Sequence, residues 1–315
     1  MRFVPATIPA LAVLFAIHMA VHSAEPARAM PTAGVVRLAY EPFSPDDEEA
    51  AAVETLLREN CIGDEVARVI NQLRCLPHDV TIRFGTEEGP QYAPALPASP
   101  DHPATPAEIH FPYGFVTEIR RIFLRNGYAE RGQALDQATL DAVQHTLFHE
   151  LGHALIDMLH IDVGKDEEDA VDSLATILLI ESFDNGGDIA LSAADAFSFL
   201  ATEEALLSEA TEQTEEAEQA EQPEQAEQAA PDANIPPAKT TAPDDDAGYS
   251  NFAKAMDEHS LNVHRYEAIA CLIYGSAPDR YGFIAEDLAL SDQDASHCAQ
   301  RYAEETEYWF ARLQP

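Results

Sequence analysis

Along the first half of the chain, short runs of β-branched and aromatic residues alternate with longer amphipathic stretches. Strand patterns fall at 35–39, 79–84 and 109–111. The clearest is Asp79-Val80-Thr81-Ile82-Arg83-Phe84, where polar and apolar side chains alternate and so belong to opposite faces. Between the first two strands lies a helix at 46–60, opened by acidic residues that suit a helix N-terminus, and a second helical stretch to about residue 74. Residues 85–107 are rich in Gly, Pro and Ala, which makes them loop, with room for an edge strand at 91–93. A helix at about 113–125 completes a mixed first half.

From Asp136 the period changes and stays helical. Leu140, Val143, Leu147, Leu151, Leu155 and Met158 recur at spacings of three and four, predicting a helix of about 20 residues. A second starts near Asp166 and stops at the Asn185-Gly186-Gly187 turn signal, and a third covers about 192–207. Helical patterns return at about 253–274 and 292–313, and no internal repeat is apparent. The expected class is α+β, mainly helical, with a small N-terminal sheet.

Charge narrows the partners. With 56 Asp+Glu against 18 Lys+Arg the net charge is −38, which disfavours nucleic acid and anionic membrane surfaces, both of which reward clustered cations. Residues 203–246 hold 14 of those acids and one Lys, in a Glu/Gln/Ala-rich stretch broken by Pro223, Pro231, Pro236 and Pro237. The part from 208 to 247 is therefore expected to be a disordered acidic insertion, after which the fold resumes.

The chain opens with one Arg, an apolar run from about residue 8 to 21 and then small residues, as a secretory signal peptide does. Cleavage would follow Ala24 or Ala29. An uncleaved anchor is the other reading of the run, and no other stretch is apolar enough to span a bilayer. The expected location is exported, periplasmic or secreted. Four cysteines, Cys61, Cys75, Cys271 and Cys298, then predict two disulfides in an oxidising compartment. Of three possible pairings, Cys61 with Cys75 and Cys271 with Cys298 are favoured because each closes a short connection.

The chemistry lies on the helix after Asp136, which reads His149-Glu150-Leu151-Gly152-His153, the H-E-x-x-H pattern. At about 100° per residue the two histidines leave one face about 40° apart, one turn from each other, and can meet one Zn²⁺. Glu150 sits close enough to serve as general base on a water without being a ligand. Gly152, costly in mid-helix by about 1 kcal/mol, implies a close neighbour. His145 and His160 fall near the same face, so a helix with surface histidines is the competing reading. A third ligand is sought among Asp166, Glu167, Glu168, Asp169 and Asp172. Glu168 and Asp172 share a face, so that one could bind metal while the other orients a histidine. A third histidine in register is missing, since positions 156 and 159 are Ile156 and Leu159.

His149 to His153 followed by Glu168-Asp169-Ala170-Val171-Asp172 resembles the H-E-x-x-H plus E-x-x-x-D pattern of gluzincin-type metallopeptidases. The stretch from about 146 to 180, with Asp257-Glu258-His259-Ser260-Leu261, the run from Ile269 to Ser276 and a weaker match at 76–84, is similar to a bacterial metallopeptidase family that carries a domain-of-unknown-function label. The resemblance implies a zincin-like fold, Zn²⁺ held by His149, His153 and Glu168, Glu150 as base, Asp172 supporting a ligand, and a peptide or protein substrate. Together with the apolar run and the acidic stretch, it divides the chain into a signal peptide (1–29), the first part of a metallopeptidase domain (30–207), the insertion (208–247) and a C-terminal helical part of the same domain (248–315). His259, His264 and Tyr266 are the candidates for an oxyanion donor. The readings weighed against a peptidase are a non-enzymatic envelope protein with a structural or vestigial metal site, and a zinc hydrolase acting on a non-peptide amide. The oligomeric state is not legible, and the insertion serves either as a spacer or as a tethered regulator.

Overall fold

Alternation of buried and half-buried residues makes the sheet. The computed structural model describes residues 33–314 except 86–88, 101, 131–133, 165–166 and 221–261. Strands β1 (Val36–Tyr40), β2 (Val80–Gly85), β3 (Gln91–Ala93) and β4 (Ala107–Pro112) form one sheet in the order β1-β2-β4-β3. The first three neighbours are parallel, and β3 runs antiparallel on the edge beside β4. Ile82 is level with Ile109 and Phe84 with Phe111, all pointing to the core face. On the other face Arg83 bridges Glu41 and Glu108.

Two helices, α1 (Glu48–Glu59) and α2 (Ile62–Leu73), make the crossover from β1 to β2, and α3 (Tyr113–Arg125) follows β4 directly. The helical half consists of α4 (Leu135–Leu159), α5 (Glu167–Ser182), α6 (Gly186–Ala220), α7 (Asn262–Ser276), the short α8 (Gly282–Asp287) and α9 (Asp292–Arg312). The molecule is thus the mainly helical α+β protein that the sequence predicts. Helix α4 lies at its centre, packed by α2, α3, α5, α6 and the β3–β4 edge. Edge strand and helix are tied where the Tyr92 hydroxyl donates to Asp157 Oδ2 at 2.8 Å.

Three expectations change. The glycine pair after α5 opens α6 at Gly186 rather than separating it from a helix at about 192. The glycines answer a packing need rather than a turn: a Cβ on Gly186 would sit 1.9 Å from the Leu179 carbonyl oxygen, and one on Gly187 2.3 Å from the Tyr281 hydroxyl. Helix α6 also runs on to Ala220, into the segment read as insertion, while 221–247 and the signal region 1–29 lie outside the described residues.

The third concerns sulfur. Cys271 and Cys298 form a disulfide between α7 and α9, as expected, but Cys61 and Cys75 are both free, the first exposed and the second buried. They flank opposite ends of α2, whose 12 residues span about 18 Å at 1.5 Å each, far beyond the 7 Å limit for bridged Cα atoms. Chain separation was short, but a helix holds the ends apart. No helix among the described residues is long and apolar enough to cross a membrane.

Candidate metal centre

Helix α4 is buried nearly all round, which removes the reading of a surface helix with a histidine face. His145 is fully buried against Thr176 Oγ1 at 3.3 Å, and burial pushes its pKa down to about 3. His160 has a positive φ of 52° and ends the helix, with its own N–H on Asp157 O and that of Ile161 on Ile156 O. Neither joins His149 and His153.

The close neighbour implied by Gly152 is Val171 of α5. A Cβ on Gly152 would lie 3.0 Å from the Val171 Cβ, so the glycine lets α5 approach α4 at the level of the two histidines. Gly152→Ala would gain about 1 kcal/mol of helix propensity but force the fully buried Val171 outward, and overpacking costs about 1–3 kcal/mol. The expected result is a lower thermal midpoint, measured by circular dichroism; an unchanged or raised midpoint would mean that the helices yield freely.

This approach brings the first turn of α5 onto the histidine face. His149 Nε2 lies 3.3 Å from Glu168 Oε2 and His153 Nε2 lies 3.4 Å from Glu168 Oε1, so one carboxylate faces both imidazoles. Ligand atoms of His149, His153 and Glu168 all fall within 4.8 Å of one another, a group that could hold a metal ion. Each ring has an acid on its other nitrogen as well. His149 Nδ1 is 2.8 Å from Asp172 Oδ1, and His153 Nδ1 is 2.8 Å from Glu167 Oε1. Burial works against charge on His149, yet the Asp172 and Glu168 carboxylates outweigh it and raise its pKa to about 9. The pKa of His153 is raised too, burial being outweighed by Glu168 and Glu167. Without an ion, the carboxylates favour protons on these rings; a divalent cation would compete for the same electron pairs.

Glu150, next to His149 in the chain, is 2% exposed, and its Oε2 atom makes no hydrogen bond among the described residues. Native proteins rarely leave a buried carboxylate oxygen without a donor, so a donor belongs there.

Behind His149, Asp172 is gripped by Arg265 of α7, with Nε on Oδ2 at 2.6 Å and Nη2 on Oδ1 at 2.7 Å. Burial alone would raise the Asp172 carboxyl, but Arg265 and His149 hold it well below the usual carboxylate range. Arg265 in turn stacks on the Phe197 ring of α6, 3.9 Å from its centroid. The sequence reading missed this residue, although a signal existed: Ile269, Leu272 and Ile273, at i+4, i+7 and i+8 from it, are all buried core residues. An arginine on such a stripe needs a buried acid.

Among the described residues, the remaining candidates do not join the group of His149, His153 and Glu168. His264 is exposed and meets Asp169 Oδ2 at 3.3 Å, and Tyr266 packs against the core with its hydroxyl pKa raised by burial. His259 and Asp166 lie outside the described residues.

Comparison with known families decides the kinship. A family described as "Putative metallopeptidase" matches the chain at residues 41–222 and 206–313. The chain belongs to that family. The matched span takes in the histidine helix and α5 in its first part, and the helix that carries Arg265 in its second. No curated protein and no solved structure matches.

Proposed function

We propose that this protein is an exported zinc-dependent metallopeptidase that hydrolyses peptide bonds at His149, Glu150, His153 and Glu168. The observation that carries the reading is the convergence of both imidazoles on one carboxylate, with Glu150 the next residue after His149 and its buried Oε2 making no hydrogen bond among the described residues. Two imidazole nitrogens and one carboxylate oxygen are the donor set of a catalytic zinc site that keeps a position open. Family membership supports the same chemistry.

His149 and His153 would hold the ion through Nε2 and Glu168 through its carboxylate, while Asp172 and Glu167 on the Nδ1 atoms fix which nitrogen is presented. When bound, zinc supplies Lewis-acid polarisation of the scissile carbonyl and makes a water more acidic. Glu150 takes the proton of the attacking water and returns it to the leaving amine. The acid belongs close to His149 on the same helix, and its burial excludes competing bulk water.

Export is supported by the apolar N-terminal run and by the Cys271–Cys298 disulfide, which suits an oxidising compartment. The packing of α7 against α5, α6 and α9 supports one domain interrupted by the acidic segment 208–247. Elemental analysis of the purified native protein beside Glu168→Ala tests the site. Near-stoichiometric zinc in the native protein and a marked loss in the variant are expected; a folded native protein that takes up no zinc would sink the proposal.

A further inference from the structure

Arg265 is 3% exposed, and no other lysine or arginine among the described residues is buried. It belongs to α7, the helix that follows the acidic segment, yet it reaches the back of a site built by α4 and α5. Its fork occupies both oxygens of Asp172, and Oδ1 is shared: it accepts from Arg265 Nη2 at 2.7 Å and faces His149 Nδ1 at 2.8 Å. The carboxylate torsion of an aspartate is soft, whereas a bidentate guanidinium fixes the carboxylate plane. That plane sets the direction in which Oδ1 meets the imidazole. Phe197, stacked on the guanidinium, holds the fork itself in place.

Nη2 of Arg265 lies 3.5 Å from His149 Nδ1, whereas Glu168 stands off Nε2. Arg265 is therefore on the opposite side of the ring from the group that could hold a metal, and is not placed to touch a substrate there. We infer that Arg265 is a positioning residue of the metal centre: its grip on Asp172 orients His149, and through that ring sets the metal affinity of the site. The inference rests on the proposed zinc site and adds a third helix to it, α7, drawn from the far side of the 208–247 segment.

Charge and orientation predict opposite signs, which makes the idea testable. A guanidinium acting only as a nearby positive charge would weaken cation binding, so its removal would tighten the site. A guanidinium acting as a clamp does the reverse. Zinc affinity would be measured by chelator competition on the full chain, for native protein, Arg265→Met, Arg265→Lys, Asp172→Asn and the Asp172→Asn/Arg265→Met double variant, with thermal unfolding of each in parallel. The expected result is affinity about tenfold weaker in Arg265→Met, within the range for outer-shell partners of metal-bound histidines. Arg265→Lys should fall between, because an ammonium cannot bind both oxygens in the same fork. The double variant should bind no more weakly than Asp172→Asn alone, since Arg265 works through that carboxylate.

Unchanged or tighter zinc binding in a folded Arg265→Met, or losses that multiply in the double variant, would overturn the inference. Should Arg265→Met not fold, Arg265→Lys decides: native affinity in that variant overturns it. A native protein that binds no zinc brings down the metal site and this inference together, whereas a native protein that binds zinc and is indifferent to Arg265 brings down the inference alone.

Discussion

Glu150→Gln is expected to retain zinc and to lose peptide hydrolysis by about a hundred- to ten-thousand-fold, the usual range for a general base. The amide has nearly the shape of the carboxylate but cannot accept the proton of the attacking water. Retention of metal follows because Glu150 is not one of the three residues whose ligand atoms converge. Stability should change little, since the substituted Oε2 makes no hydrogen bond among the described residues and the volume is conserved. Cleavage of a mixed peptide library, followed by mass spectrometry beside a zinc assay, separates the two effects. A variant that cleaves at the native rate would remove Glu150 from the mechanism; one that loses its zinc would make it a ligand.

The second large effect is expected on stability. Opening the Cys271–Cys298 bridge by the double substitution to Ser should destabilise the fold by about 3–4 kcal/mol, the loop-closure entropy for residues 27 apart. The bridge fastens two helices that are already crowded: a Cβ on Gly275 of α7 would lie 2.2 Å from the Cys298 carbonyl oxygen. Both helices bear on the candidate site. Helix α7 carries Arg265, and α9 donates from Trp309 Nε1 to the hydroxyl of Ser173, the neighbour of Asp172. Denaturant unfolding of the oxidised and serine forms measures the cost. Thiol labelling of the native sample checks the bonding itself: Cys61 should react in the folded state, Cys61 and Cys75 after unfolding, and all four cysteines only after reduction. A native protein with no reactive thiol after unfolding would restore the Cys61–Cys75 pairing.

Residues near one another in the chain were the most legible. Alternation in 79–84 predicted a strand with one buried face, and the period of three and four from Leu140 to Met158 predicted the helix that became α4, because both signals arise within one element. The same holds for the cluster at its centre. His149 and His153 share a face by helix geometry, and Glu168 and Asp172 share another for the same reason. Gly152 announced a close contact because a glycine in mid-helix has a cost that something must offset, and Val171 is that contact.

Elsewhere local signals misled or fell silent. Cys61 and Cys75 looked paired by separation, but the rigid helix between them forbids it. Gly186 and Gly187 looked like a break, yet they open a helix, and they are glycines there because the Leu179 backbone and the Tyr281 ring leave no room for a side chain. Arg265 stood between two residues that drew attention, His264 and Tyr266, and gave no sign of its partner 93 positions earlier.

By itself, then, the sequence determined the elements, the spacing of His149, Glu150 and His153, and an acid pair on the next helix, because helix and strand periods are properties of a few consecutive residues. Helix spacing left open which acid meets the histidines; the family resemblance implied Glu168, and the tertiary structure shows Glu168 facing both imidazoles, Asp172 turned to the back of His149, and a helix from beyond the acidic segment supplying the cation that holds it there. Those choices depend on how α4, α5 and α7 pack, and a buried charge finds its partner by proximity in space, which spacing along the chain does not encode.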